Sequence, residues 1–245
     1  MNSTPLTAID GLSSLTLFQQ AQHIARQIPE WHKAGHYNYS VPQGHDVGVD
    51  IHTKEFNGDY WVARANGFEQ FDAKSRKHLF HVLDKYVLGS TSSLDESHTS
   101  YELGYIQELA DFKVHPYDLG DTVPGYEGVA YLAELYYHLQ FPLKKRKFCN
   151  LVHVLRAEDG NSGYVISLAV DPSVIPGNPK EPAFVPARYT SVEYITFDPK
   201  TSDLRWYMTT CSDAGGNVPQ WLAKLTINGV VAKDVHSFLN WANTK

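Results

Sequence analysis

Leu204-Arg205-Trp206-Tyr207-Met208-Thr209-Thr210-Cys211, running on into Ser212-Asp213-Ala214-Gly215-Gly216-Asn217-Val218-Pro219-Gln220-Trp221-Leu222, is the stretch on which the fold turns. Its first part is rich in aromatic and β-branched side chains and places Trp206 and Met208 on one face, the pattern of a half-buried strand. Gly215-Gly216 then permits backbone angles closed to other residues, Asn217 is a capping type, and Pro219 suits a first helical turn. Asp213 and Asn217 read as capping residues of this turn rather than as catalytic groups. Beyond it the apolar positions change to helical spacing: Val218, Trp221, Leu222 and Leu225, then Val231, Val235, Phe238 and Leu239 after a weak point at Asn228-Gly229. A strand thus reverses sharply into a long closing helix.

Upstream, runs at 148–156, 163–170 and 188–197 share the Val, Ile, Tyr and Thr content and are separated by Gly or Pro clusters, so they read as antiparallel meander strands. Segments 47–56 and 60–66 alternate around Asn57-Gly58 and read as a hairpin. Helical spacing marks two further elements. Leu15, Phe18, Ala21 and Ala25 follow Ser13 and Ser14 up to Pro29, and Leu79, Val82, Leu83, Tyr86 and Val87 follow Asp72 and stop at Gly89. The Gly-, His- and Tyr-rich stretch after Pro29 reads as a loop, and 99–114 fits helix or strand equally.

Nothing linker-like, repetitive or of low complexity divides the chain. The expectation is a ligand-binding domain over 46–245, a single globular unit, with residues 1–45 as an N-terminal helical extension packed on it. The class is α+β: a curved antiparallel sheet packed over the C-terminal helix, because the helix stripe and the alternating strands must bury their apolar faces against each other. A sheet gripping a helix leaves concave apolar space, where small hydrophobic ligands bind.

Composition narrows the function classes. Of 245 residues, 42% are hydrophobic and 20% charged, with 15 Tyr, 11 Phe and 5 Trp, which excludes a chain disordered throughout. A net charge of −6 supplies no basic field to drive counterion release, so nucleic acid is not an expected partner. Two cysteines, Cys149 and Cys211, make neither a CxxC pair nor half a zinc site. With neither a signal-peptide pattern at the start nor a run of about 18 apolar residues, a cytoplasmic protein is expected. His32/His36 and His78/His81 have spacings that share a helix face, but neither has a third ligand and HExxH is absent, so no metal is expected. Glycine-rich nucleotide loops and the GxSxG elbow are missing too, which removes the usual support for kinase and hydrolase readings. Lys144-Lys145-Arg146-Lys147 reads as the solvated start of a strand, with at most transient contact with anionic lipid.

Four stretches carry a family resemblance: Trp61-Val62-Ala63-Arg64, Phe141 to Phe148, Arg188 to Ile195, and Ser212 to Leu222. Together they resemble the fungal START-like family of unannotated function, within the START, helix-grip (Bet v 1-like) superfamily of lipid-transfer proteins. The pattern spans about residues 60 to 242, and its last motif, the turn that opens the C-terminal helix, is the most specific. The resemblance implies a helix-grip fold with an internal hydrophobic cavity. Two features depart from it. Asn66 and Phe68 stand where the family tends to have serine and histidine, and the interior arginine of sterol-binding relatives has Val152 as its nearest inward match, so an interior ion pair is not expected.

The implied site is apolar. Val152, Ile166, Trp206 and Met208 from the strands and Trp221, Leu222 and Leu225 from the helix are the expected ligand-binding residues, with no cofactor. Three function classes follow: a binder of one hydrophobic small molecule, lipid or polyketide- or terpenoid-like metabolite; a cofactor-free cyclase, dehydratase or isomerase of secondary metabolism using the same cavity; or an interaction module with a filled core. For the enzyme, Glu193 is a candidate acid, since burial disfavours its charge, and Tyr194 or Tyr207 a candidate donor to a carbonyl. Strand parity puts Glu193 and Tyr194 on opposite faces and leaves open which face is concave.

Overall fold

Thr16 N–H donates to Ser13 Oγ at 3.2 Å, and this cap starts α1 (Ser14–Gln27). Asp121 adds to it by accepting from the Ser14 and Leu15 amides at 2.6 and 3.3 Å. Leu17, Phe18, Ala21 and Ala25 recur along one side of α1 and are buried there. The structure, a computed structural model, describes residues 1–245 except 43–45, 57, 140–143, 178–180 and 217–219, and gives the backbone but not the side chains of 220–225.

One twisted sheet forms the body. Among the described residues its strands are β1 (His32–Ser40), β2 (Asp46–Phe56), β3 (Asp59–Gly67), β4 (Leu109–Tyr117), β5 (Tyr126–Tyr137), β6 (Arg146–Ala157), β7 (Ser162–Ala169), β8 (Val185–Pro186), β9 (Arg188–Asp198) and β10 (Asp203–Asp213). Their order across the sheet is β1-β2-β3-β10-β9-β7-β6-β5-β4, antiparallel throughout, with β8 alone pairing parallel to β6. α2 (Ala73–Leu83), capped by Asp72, continues through a wider turn to Leu88 and stops where Gly89 takes φ of 72°. α3 (His98–Tyr105) precedes β4, and α4 (Gln220–Ala242) closes the chain without a break at Asn228-Gly229.

The two faces of the sheet are covered by different helices. On the inner face Val231, Ala232, Val235, Phe238 and Leu239 of α4 join Val49, Ile51, Val62, Val152, Ile195 and Trp206 in one core. On the outer face α1 packs on Leu151, Tyr164, Ile166, Leu168 and Val192. The large curved antiparallel sheet over a C-terminal helix is the architecture the alternating strands and helix stripe implied.

Three segments differ from their sequence reading. The stretch taken as a loop after Pro29 is β1, an edge strand whose inner positions are Tyr37 and Tyr39 rather than aliphatic residues, so its alternation is muted. Residues 1–45 therefore hold a strand of the main sheet as well as α1. The ambiguous 99–114 contains both periods, α3 and then β4, joined at Ile106. β5, unread in the sequence, is buried continuously from Ala130 to Tyr136 because its two faces meet the two cores, which erases any polar alternation.

Entry into β6 also splits the basic run. Lys144 and Lys145 are exposed, but Arg146 is only 4% exposed and Lys147 8%. Arg146 Nε donates to Ala214 O at 2.7 Å, tying β6 to the turn before α4, and Lys147 pairs with Glu134 at 2.6 Å. A wholly solvated run is thus corrected: its second half is structural. The Asn57-Gly58 and Asn217-Val218-Pro219 turn residues, apart from Gly58, lie outside the described residues.

Candidate functional site

The inner face decides which candidate residues meet. Side chains alternate along each strand, so Glu193 shares the inner face with Tyr189, Ser191 and Ile195, while Tyr194 turns outward and stacks on Tyr164 at 4.4 Å between ring centroids. Tyr207, in register with Tyr194, stacks beside it at 6.3 Å on the same outer side. Ile166 belongs to the outer core under α1. Tyr194, Tyr207 and Ile166 are therefore corrected as inner-face candidates: on period-two strands each has the wrong parity. Val152, Trp206 and Met208 do lie on the inner face with α4, and the side chains of Trp221, Leu222 and Leu225 lie outside the described residues.

Glu193 is not a free acid. Its Oε1 accepts from Arg64 Nη2 at 2.7 Å and from the Trp206 indole N–H at 2.6 Å. The Arg64 guanidinium lies 3.9 Å from the Trp206 ring centroid, and its Nη1 donates to Asn66 Oδ1 at 3.3 Å. Arg64 and Asn66 are 2% and 1% exposed. This is the interior ion pair that was not expected. The arginine comes from β3 rather than β6, and Asn66, one of the departing residues, supports it.

A second polar group hangs from α3. His98 Nδ1 donates to Val87 O at 2.6 Å, and its Nε2 lies 3.4 Å from Glu102 Oε1. Burial works against the charged imidazole, but the Glu102 carboxylate, aided by Glu193 and the Val87 carbonyl, lifts His98 to about 9. Beside it, the Tyr131 hydroxyl meets Thr99 Oγ1 at 3.1 Å. Tyr105, Tyr137 and Tyr189 have hydroxyls raised well above the ordinary phenol value, chiefly by desolvation, yet each retains accessible surface.

Asp234 of α4 completes the set. Desolvation, opposed by Arg64 and reinforced by repulsion from Glu193, Glu102 and Glu108, pushes it up to about 7. Sequence reasoning missed Asp234, Glu102, His98 and Arg64. The signal for Asp234 was present: Val231, Asp234, Val235 and Phe238 follow the i, i+3, i+4, i+7 pattern, which places a lone carboxylate on an apolar stripe. For Arg64 and Glu193 the signal was membership of two of the matched stretches.

Elsewhere, an open hollow of about 1290 Å³ lies on the outer side near the ends of β6 and β9, bordered by Cys149, Val170, Phe184 and Arg188. It shares none of the interior polar groups. Among the described residues no His, Cys, Asp and Glu side chains converge as metal ligands, and no helix is long and apolar enough to cross a membrane.

A sheet curved over a closing helix, with polar groups on the face between them, is the START-type helix-grip fold. The human STARD10 crystal structure matches with a TM-score of 0.59 at 13% identity, covering 92% of this chain and 79% of that one. Human StAR-related lipid transfer protein 5 gives 0.57 at 14% over 94% and 97%. The lipid transfer and protein localization domain of human StarD13 (DLC2) gives 0.53 at 14% over the same shares. Within that fold the chain belongs to the family described as protein of unknown function, DUF3074, which matches residues 61–242. No curated protein matches its sequence.

Proposed function

We propose that this protein binds one hydrophobic small molecule, a lipid or a polyketide- or terpenoid-like metabolite, in a cavity between the inner sheet face and α4. The observation that carries this is the state of Tyr105, Tyr137 and Tyr189: deep enough to be strongly desolvated, yet with accessible surface, as side chains lining an enclosed space would be. Phe148 and Met208, also half-buried on this face, would add apolar wall, and Val152 and Trp206 complete the proposed lining. Apolar burial supplies the affinity and a few polar groups the orientation. Two of the similar folds are named for lipid transfer, which supports the same ligand class. We include in the reading a cytoplasmic location and no more than transient membrane contact.

A second reading, a cofactor-free cyclase, dehydratase or isomerase, is favoured by Asp234. A carboxyl lifted to about 7 is suited to move protons at neutral pH. Native mass spectrometry of the purified chain, with melting temperatures across a lipid and metabolite panel, tests the first reading. Bound ligand or a saturable shift is expected, and neither appearing for any compound would overturn it. Turnover of a bound compound that persists in EDTA and is lost in Asp234→Asn would establish the second.

A further inference from the structure

We propose that Ser14, His153 and the Val129 carbonyl form a latch that holds α1 on the outer sheet face at neutral pH and releases it in acid. His153 Nδ1 lies 3.0 Å from Val129 O, and its Nε2 lies 2.7 Å from Ser14 Oγ. A carbonyl oxygen only accepts, so Nδ1 carries the ring proton and Nε2 of the neutral imidazole accepts from the Ser14 hydroxyl. One ring on β6 thus ties the first residue of α1 to β5. His153 is 4% and Ser14 2% exposed, so water does not compete for either bond. The ring has room because Gly128 lacks a side chain: a Cβ there would come within 3.2 Å of His153 Cε1.

Only the neutral ring fits this place. A proton on Nε2 would turn that nitrogen from acceptor to donor and set a charge beside Ile166, its register partner on β7, and Leu151 and Leu155 on the same face. The titratable groups on the surrounding elements do little to offset that. Tyr117 on β4, with Asp10 and Asp118 near it, and Tyr164 on β7 are phenols held neutral by desolvation. His23 and Arg26 of α1 lie more than two turns beyond Ser14. Asp121 does favour the charged ring, but it is exposed and already accepts from the Ser13 hydroxyl and the Ser14 and Leu15 amides. Burial outweighs it and lowers His153 below its ordinary 6.5.

The sign follows from linkage. With α1 lifted, water reaches the ring and it takes up a proton at its ordinary value, so the released state gains on the docked one by up to about tenfold per pH unit below 6.5. His98 and Asp234 act the other way: both are raised by folding, so acid strengthens the fold as a whole through them. The latch loosens where the rest of the molecule tightens, which confines the opening to α1. Its release uncovers Tyr164, Leu168 and Val192 on the outer face.

Hydrogen exchange of the full chain, read by mass spectrometry at pH 7.5, 6.0 and 5.0 and corrected for the intrinsic pH dependence of amide exchange, tests this. Protection of residues 14–27 is expected to fall about tenfold or more from pH 7.5 to 5.0, while that of α4 holds or rises. His153→Gln keeps a donor and an acceptor but cannot be protonated, and its α1 protection should not change with pH. If that variant fails to fold, the imidazole resonances of the native chain decide: with α1 protected, the ring should hold a single proton, on Nδ1, at pH 6. Unchanged α1 protection in the native chain, an equal fall in His153→Gln, or a docked ring that titrates at 6.5 or above overturns the proposal.

Discussion

Arg64 on β3 and Glu193 on β9 are not neighbours in the sheet, yet they meet at 2.7 Å across β10, with Trp206 of that intervening strand donating to the same carboxylate oxygen. The pair is enclosed, with side chains 3% and 12% exposed. Removing one partner of such a pair strands the other charge, which costs about 3–5 kcal/mol, whereas replacing both with apolar residues is often neutral. Arg64→Met and Glu193→Leu should each lower stability by that order in denaturant titrations, and the double variant should recover most of the loss. Additive losses would mean that the two side chains act independently.

His98 sets a pH dependence. Its folded value of about 9 lies above the unfolded 6.5, so its stabilisation is complete below 6.5 and is lost as pH rises through 9. At about 1.4 kcal/mol per unit this amounts to at most about 3 kcal/mol. Unfolding midpoints should fall steadily between pH 6.5 and 9, and Glu102→Gln should flatten that slope. Asp234 acts with the same sign in a lower window, its stabilisation present below 3.8 and lost as pH rises to about 7.

What the residues disclosed depended on whether a pattern was local. The closing helix could be read from its apolar stripe, and β6, β7, β9 and β10 from runs of Val, Ile, Tyr and Thr bounded by Gly or Pro, even where both faces of the strand are covered. β5 gave no alternation because both of its faces are covered, and β1 hid its inner face behind tyrosines. The site was harder for the same reason. Parity placed Glu193 and Tyr194 on opposite faces, but only packing against α4 and α1 says which face is inner. The Arg64–Glu193 contact joins residues 129 positions apart and has no local trace at all. Asp234 did have one, its place on the apolar stripe of α4.

The two faces of the sheet should separate stability from binding. Ile166 is fully buried in the outer core under α1. Ile166→Ala should cost about 2–5 kcal/mol while leaving ligand affinity of the folded fraction unchanged. Met208 is half-buried on the inner face. Met208→Trp should preserve the fold in circular dichroism and sharply reduce binding of any hydrophobic ligand. Equal loss of binding in both variants would remove the distinction between the faces.

Gly215 governs how β10 passes into α4. Its φ of 65° is a left-handed conformation, and a Cβ there would run into the carbonyl oxygen of Pro186. Asp213 Oδ1 accepts from the Gly215 amide at 2.9 Å, and Arg146 Nε donates to Ala214 O at 2.7 Å, so the backbone is held from both sides and cannot yield. The left-handed angle alone costs a non-glycine residue about 1–2 kcal/mol, and the clash adds to it. Gly215→Ala should therefore lower the melting temperature by several degrees, roughly 2–4 °C per kcal/mol for a chain of this size. Gly229→Ala is the control: it lies in the middle of α4, where a Cβ meets nothing within 4 Å, and should stabilise the helix slightly. If Gly215→Ala were as stable as Gly229→Ala, the turn would not be the constraint that sets α4 against the sheet.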